Sequence, residues 1–198
     1  MFSSLLYWEA CQKLVELFRQ IDNQQNMKDF KDQAYMIEVN LENLWNEKDG
    51  MFLAASIDCR QVDIWGNAYA IYIGFPLFEK KNRIVDYLTH NFDKYVMNGQ
   101  IRHLSRPEHW QRTLIPVEPE TYQNGAYWGT ASGWVAFSLW EKHSQLSRRI
   151  LTDLIADFQK NGVYECINSG YFKIKNYVVS VVNPLGTINK INCCLKKS

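Results

Sequence analysis

The sequence has almost no net field to offer a charged partner. Its 22 lysines and arginines are set against 21 aspartates and glutamates, for a formal charge of +1. That balance argues against nucleic acid or an anionic membrane as a partner drawn in by long-range attraction. Cysteine is sparse and unpatterned. Cys11, Cys59, Cys166, Cys193 and Cys194 form an odd set without C-x-x-C spacing, which indicates neither a zinc site nor a disulfide framework. Long apolar runs are missing as well. The apolar residues near the N-terminus are broken by Glu9, Gln12, Lys13 and Glu16, so no membrane span is read there. The same stretch lacks the basic start and small-residue cleavage site of a signal peptide. The cytoplasm is therefore the default compartment, although a piece of a secreted protein would read the same way. No glycine-rich phosphate loop and no G-x-S-x-G motif is present, and no cofactor is called for.

Aromatic residues are plentiful: seven Trp, eleven Tyr and ten Phe. Such an excess suits a large aromatic core or a cleft that stacks sugars or bases. At 198 residues the chain can bury a sizeable core as one domain, or form part of a larger one. The densest stretch is Tyr122-Gln-Asn-Gly-Ala-Tyr-Trp-Gly-Thr-Ala-Ser-Gly-Trp134, with four aromatics, three glycines, two amides and two hydroxyls. Glycine costs a helix interior about 1 kcal/mol relative to alanine. The stretch therefore reads as a loop turning into a buried helix, able to stack and hydrogen-bond a flat polyhydroxylated ligand. The other reading is a glycine-rich helix start packed closely on a neighbour.

Helical spacing of apolar residues predicts helices over about 4–21 and 29–46, the first ended by the polar run 22–28. Met51–Ile57 reads as a strand or hairpin arm. Ala68–Ile73 is apolar on all sides, the pattern of an inner helix, and ends at Gly74-Phe-Pro76. Lys80–Tyr95 reads as an amphipathic helix closed by Asn98-Gly99. Residues 100–127, with Pro107, Pro116 and Pro119, form a long irregular excursion, and such loops in compact domains are usually functional. Trp134–Lys142 is a second apolar helix, followed by amphipathic Gln145–Gln159 and a stop at Asn161-Gly162. Tyr164–Ile174 reads as extended, and Asn176–Val182 as a third apolar run cut at Pro184. A polar tail is expected over 191–198, leaving 1–190 as one domain.

The pattern repeats as inner helix, outer helix, glycine stop and aromatic loop. Stops fall at Gly50, Gly99 and Gly162, and Trp65-Gly-Asn-Ala68 shares a W-G-x-A core with Trp128-Gly-Thr-Ala131. Stacked α-hairpins of this kind build helical arrays and toroids. The expected fold class is all-α: about three hairpins plus the start of a fourth, with short β-hairpin-like loops.

Gln61-Val-Asp-Ile-Trp-Gly-Asn-Ala-Tyr-Ala70, the Tyr122–Trp134 stretch and Asn176-Tyr-Val-Val-Ser-Val-Val-Asn-Pro-Leu-Gly186 resemble segments that lead into inner helices of six-hairpin (α/α)6-toroid glycosidases. The α-L-rhamnosidase and glycogen-debranching-like branch is the nearest in flavour. The resemblance implies a pocket at one end of a helical ring and hydrolysis of a glycosidic bond. This chain supplies three hairpins and the beginning of a fourth, so it reads as the C-terminal half of such a ring. An open half ring exposes apolar edges, and association with a missing N-terminal half or a second copy is expected.

Glycoside hydrolysis requires two carboxyl groups, one to protonate the leaving oxygen and one to activate water or attack the sugar. Asp63, Glu120 and Glu165 are the candidates. Asp63 precedes an inner helix, which favours its charge but equally makes it a cap or a partner for Arg60. Glu118 and Glu120 lie in a Pro-flanked loop that solvent alone explains, and Glu165 follows Tyr164 in an aromatic loop. Trp65, Tyr127 and Trp128 can stack on pyranose faces or simply pack in the core. Asn67, Gln123 and Asn124 offer donors and acceptors to sugar hydroxyls. Arg102, His103, Arg106 and His109 suit an anionic group such as a uronate, or an ordinary charged surface, and their spacing supports no metal site. Two functions stay open: a carbohydrate-active hydrolase, and a non-catalytic helical fragment that binds sugar or protein. A sugar epimerase or isomerase using His103 and His109 is a more distant third.

Overall fold

A computed structural model describes residues 1–196, and in it the chain is a run of α-hairpins. Helix α1 (Phe2–Gln20) turns into α2 (Gln24–Leu41), α3 (Ile64–Ile73) into α4 (Lys80–His90), and α6 (Ser132–Trp140) into α7 (Ser144–Asn161); α5 (Phe92–Tyr95) is a single turn after α4. A last helix, α8 (Val179–Leu195), has no helix after it among the described residues. Neighbouring inner helices pack in chain order, α1 on α3, α3 on α6 and α6 on α8, while α2 and α7 lie outside α1 and α6. The sequence dictates this layering. Every residue from Ile64 to Ile71 is buried, as an inner helix requires, whereas α7 buries only a stripe at Ser147, Ile150, Leu154 and Asp157. The fold is three hairpins and the inner member of a fourth, an arc of a helical toroid.

Each hairpin ends in a short antiparallel β-hairpin at the same end of the arc. These are β1 (Trp45–Asn46) with β2 (Met51–Phe52), β3 (Val96–Met97) with β4 (Gln100–Ile101), and β5 (Tyr164–Asn168) with β6 (Tyr171–Lys175). The registers pair Trp45 with Phe52, Val96 with Ile101, and Cys166 with Lys173. Isolated bridges from Trp128 to Ile101 and from Tyr127 to Ile167 place residues 127–128 between β4 and β5. The mouth loops of the second and third hairpins are thereby stitched into one surface.

Several boundaries differ from the sequence reading, for physical reasons. Helix α2 begins at Gln24 because Asn23 caps it, its side chain accepting from the Asn26 N–H at 3.1 Å. At its other end α2 stops at Leu41, and Trp45 falls in β1. The three glycine stops are not equivalent. Gly50 and Gly99 turn β-hairpins, and only Gly162 follows a helix. The counterpart of Asn98-Gly99 in the third hairpin is Ser169-Gly170, with Gly170 at φ +70°. Pro184 does not end the third apolar run. It sits inside α8 and forgoes a bond to the Ser180 carbonyl, a break that isolated helices resist. Tertiary packing overrides the local preference: Pro184 is buried where α8 meets Gly133 of α6, and a Cβ on Gly133 would lie 3.0 Å from the Pro184 Cα. The residues read as a polar tail from 191 are helical as far as Leu195, with Ile191 buried, and residues 197–198 lie outside those described.

The glycines of Tyr122–Trp134 serve the same contact. A Cβ on Gly129 would meet Ser180 at 2.8 Å, so α8 approaches α6 only where side chains are missing. Close helix packing accounts for these two residues, leaving the aromatics and amides to be placed. No helix among the described residues is long and apolar enough to cross a membrane.

Candidate functional site

The residues singled out by sequence lie on the long loop, at the start of α3 and on β5, and the structure sorts them by how fully their polar atoms are used. Asn67 is fully engaged. Its side chain accepts from the Phe52 N–H at 2.9 Å and donates to the carbonyls of Phe52 and Asp63, each at 2.9 Å. It ties α3 to β2. Asn124 does the same for the long loop, accepting from the Trp110 N–H and donating to the Val117 carbonyl, each at 2.8 Å. Gln123 is exposed and takes the Trp110 indole N–H on its backbone carbonyl at 2.9 Å.

Asp63 is the N-cap of α3, with Oδ1 accepting from the Trp65 N–H at 3.2 Å. The same oxygen lies 3.4 Å from Nδ1 of His103. His103 stacks on the Trp65 ring at 3.8 Å, and its Nε2 is buried without a partner. Asp63 thus works as a cap and as an anchor that orients a histidine.

Glu120 is the hub of the long loop. Its carboxylate accepts from Arg102 at 3.1 Å, from Asn168 at 2.8 Å and lies 2.8 Å from His109 Nε2, with Arg106 at 3.9 Å. Burial pushes its carboxyl up, but bonds from Asn168 and His109 and the charges of Arg102 and His109 outweigh that, holding it below the ordinary value. Arg102 itself is wholly buried, and it reaches Glu120 past Gly125. A group with a depressed folded-state pKa contributes stability above its unfolded value and loses it as pH falls through the folded one. The thermal midpoint should therefore fall between about pH 5 and pH 3 more steeply in the wild type than in Glu120→Gln, as the anchoring charge is lost. Parallel midpoint curves for the two proteins would contradict this anchoring role.

Glu165, on β5, is different. It is buried, its Oε2 has no hydrogen-bond partner, and its carboxylate forms no ion pair among the described residues. Tyr122 and Cys166 feel its charge, and the Lys173 ammonium lies 3.6 Å from the Tyr122 ring centre. The Tyr122 hydroxyl is raised by burial, then by the charge of Glu165, and the Cys166 thiol is pushed up to about 12 by burial, then by Glu165. Tyr122 lies against the Trp128 ring at 5.1 Å, Tyr177 at 6.4 Å from it, and Trp65 meets it edge-on at 5.7 Å. The Trp128 indole N–H donates to the Tyr122 carbonyl at 3.1 Å. Tyr127 is buried beneath the Arg106 guanidinium, 5.3 Å from its ring centre.

The structure gives the sequence-predicted residues different surroundings. Trp65 and Trp128 meet in one aromatic wall, Glu165 stands beside it, and Asn67, Asn124 and Glu120 hold the scaffold. Sequence reasoning passed over Tyr177, His103 as the partner of Asp63, and Arg102 as a buried side chain. Tyr177 was legible in principle, since it precedes α8 much as Trp128 precedes α6.

No protein-family profile matches this sequence, and no curated protein matches it. Solved structures do. A GH63 mannosylglycerate hydrolase from Thermus thermophilus, solved with glucose, superposes with a TM-score of 0.67 at 16% identity, over 93% of this chain and 45% of its own. Over that stretch this chain shares the hydrolase's fold. The same hydrolase solved with Tris gives 0.64 at 16% identity over 93% and 43%. An uncharacterized conserved protein from Thermus thermophilus gives 0.60 at 18% over 93% and 44%. At such identities the likeness establishes the fold alone. The chain spans less than half the length of each of these proteins.

Proposed function

We propose that this arc forms part of a glycoside hydrolase pocket, with Glu165 as the carboxylate that acts on the sugar or on the attacking water. The observation that carries the proposal is the contrast among three carboxylates. Asp63 and Glu120 are taken up by protein groups, whereas Glu165 is buried, unpaired and set beside the Tyr122–Trp128–Tyr177 aromatics. An unpaired buried carboxylate oxygen costs about 1–3 kcal/mol or more, and a fold carries such a cost most readily where a ligand or water completes the site. Aromatic faces take up the apolar C–H faces of pyranoses, which positions a sugar against them. The fold shared with a GH63 hydrolase supports a glycosidase toroid and does not single out the rhamnosidase or debranching branch. Asp63 then acts through His103, and Glu120 by holding the long loop.

A second reading rests on the same contrast. Hydrolysis uses two carboxyl groups, and one uncommitted carboxylate fits a piece that binds sugar while the second group comes from elsewhere. The test is to incubate the protein with a panel of aryl glycosides, following release of the aryl group together with intrinsic tryptophan fluorescence. Release supports hydrolysis. A saturable fluorescence change without release supports sugar binding alone. No release and no fluorescence change across the panel would overturn both.

A further inference from the structure

His103 is fixed by three contacts and left with one polar atom unused. Its carbonyl accepts from the Ile64 N–H at 2.9 Å, its Nδ1 lies 3.4 Å from Oδ1 of Asp63, and its ring stacks on Trp65 at 3.8 Å. Asp63 is itself held by capping the Trp65 N–H. A carboxylate beside Nδ1 puts the proton on that nitrogen, so in the neutral ring Nε2 is the acceptor. Nε2 is buried and without a partner. The two indoles against the imidazole have their N–H groups committed elsewhere. Trp65 Nε1 donates to the Ile101 carbonyl at 3.3 Å, and Trp110, 5.7 Å from the imidazole, donates from Nε1 to the Gln123 carbonyl at 2.9 Å. A buried acceptor held this firmly, with its neighbours' donors already used, calls for a donor from outside the chain.

We infer that Nε2 of His103 accepts a hydrogen bond from a hydroxyl of the bound sugar and so selects sugars that carry a hydroxyl at that position. This role rests on the glycoside pocket proposed above. The rings connect the two places: Trp65 meets Trp128 edge-on at 5.7 Å, Trp128 meets Tyr122 at 5.1 Å, and Tyr122 feels the charge of Glu165. Two unpartnered polar atoms, His103 Nε2 and Glu165 Oε2, therefore border one aromatic wall. A pyranose has apolar C–H faces and a rim of hydroxyls, which suits an aromatic face with an acceptor beside it. Selection follows because a sugar lacking the hydroxyl leaves a buried acceptor unpaired in the complex. His103 reads a hydroxyl, and Glu165 serves the reaction.

Nitrogen NMR on the unaltered full chain tests this, with the His103 signals assigned sequentially and the ring neutral. Nδ1 should carry the proton and Nε2 should be bare. An aryl glycoside that changes tryptophan fluorescence should also move the Nε2 signal. Two variants, their folding checked by circular dichroism, separate contact with the sugar from support of Asp63. His103→Asn keeps an amide at the Nδ1 position and loses the Nε2 position, whereas His103→Gln reaches the Nε2 position with an amide. The Asn variant should bind that glycoside about 10- to 100-fold more weakly than the wild type. The Gln variant should recover most of the loss, and a histidine kept only to hold Asp63 would give the reverse order. A proton on Nε2 of the neutral ring, an Nε2 signal unmoved by a bound glycoside, or equal binding by the two variants would overturn the inference and leave the role of Glu165 standing. No fluorescence change with any glycoside would overturn both.

Discussion

Glu165→Gln should lower glycoside turnover by about 100- to 10,000-fold, the usual contribution of a positioned acid or base, while the thermal midpoint holds or rises. The second half of that expectation separates function from architecture. A glutamate that held the fold together would leave broken partners behind when replaced. Glu165 has none to break: Oε2 is buried without a hydrogen bond. Removing the charge removes a desolvation cost, because a neutral amide is buried more readily than an unpaired carboxylate. Loss of activity with a maintained or higher midpoint marks a residue kept for chemistry at the expense of stability. A lowered midpoint with unchanged turnover would assign it to the scaffold.

Gly99→Ala should lower stability by about 2–5 kcal/mol, from overpacking and a left-handed backbone acting together. Gly99 turns the β3–β4 hairpin at φ +72°, a region that alanine enters at a cost. An added methyl would also collide with the Ile150 carbonyl and the Leu154 N–H of α7, and would lie 2.8 Å from the Leu154 Cα. Those are backbone atoms of a packed helix, so no rotamer change relieves the overlap. Gly170→Ala is the control. It has nearly the same φ, +70°, and nothing within 4 Å of the added methyl, so only the conformational cost of about 1–2 kcal/mol applies. Urea midpoints for the two variants isolate the collision. Equal losses would show that the β3–β4 turn does not seat on α7 as described.

Much of the fold was legible because its signals are local. A helix buried on every side has to be apolar on every side, and Ile64–Ile71 shows that directly. The W-G-x-A repeat at Trp65 and Trp128 marked two mouth segments whose rings meet at 5.7 Å. What stayed hidden depends on partners distant in sequence. Asn67 is a suitable sugar ligand by residue type, yet Phe52 takes up its amide. Pro184 reads as a helix stop until Gly133 on another helix is seen to admit it. Asp63 was the best-placed carboxylate by its position before a helix, and that position is what commits it as a cap. Glu165 carries no distinguishing local pattern, since being unpaired is a property of three-dimensional surroundings.

The central claim is that a carboxylate at position 165 acts on the substrate, and chemical rescue tests it most directly. Glu165→Ala removes the carboxylate and leaves room for a small one. Added formate should restore aryl-glycoside turnover in a concentration-dependent way in that variant and leave the wild-type rate unchanged. Wild-type-level turnover by Glu165→Ala without formate, or an inactive variant that formate cannot revive although it still binds the glycoside, would contradict the account.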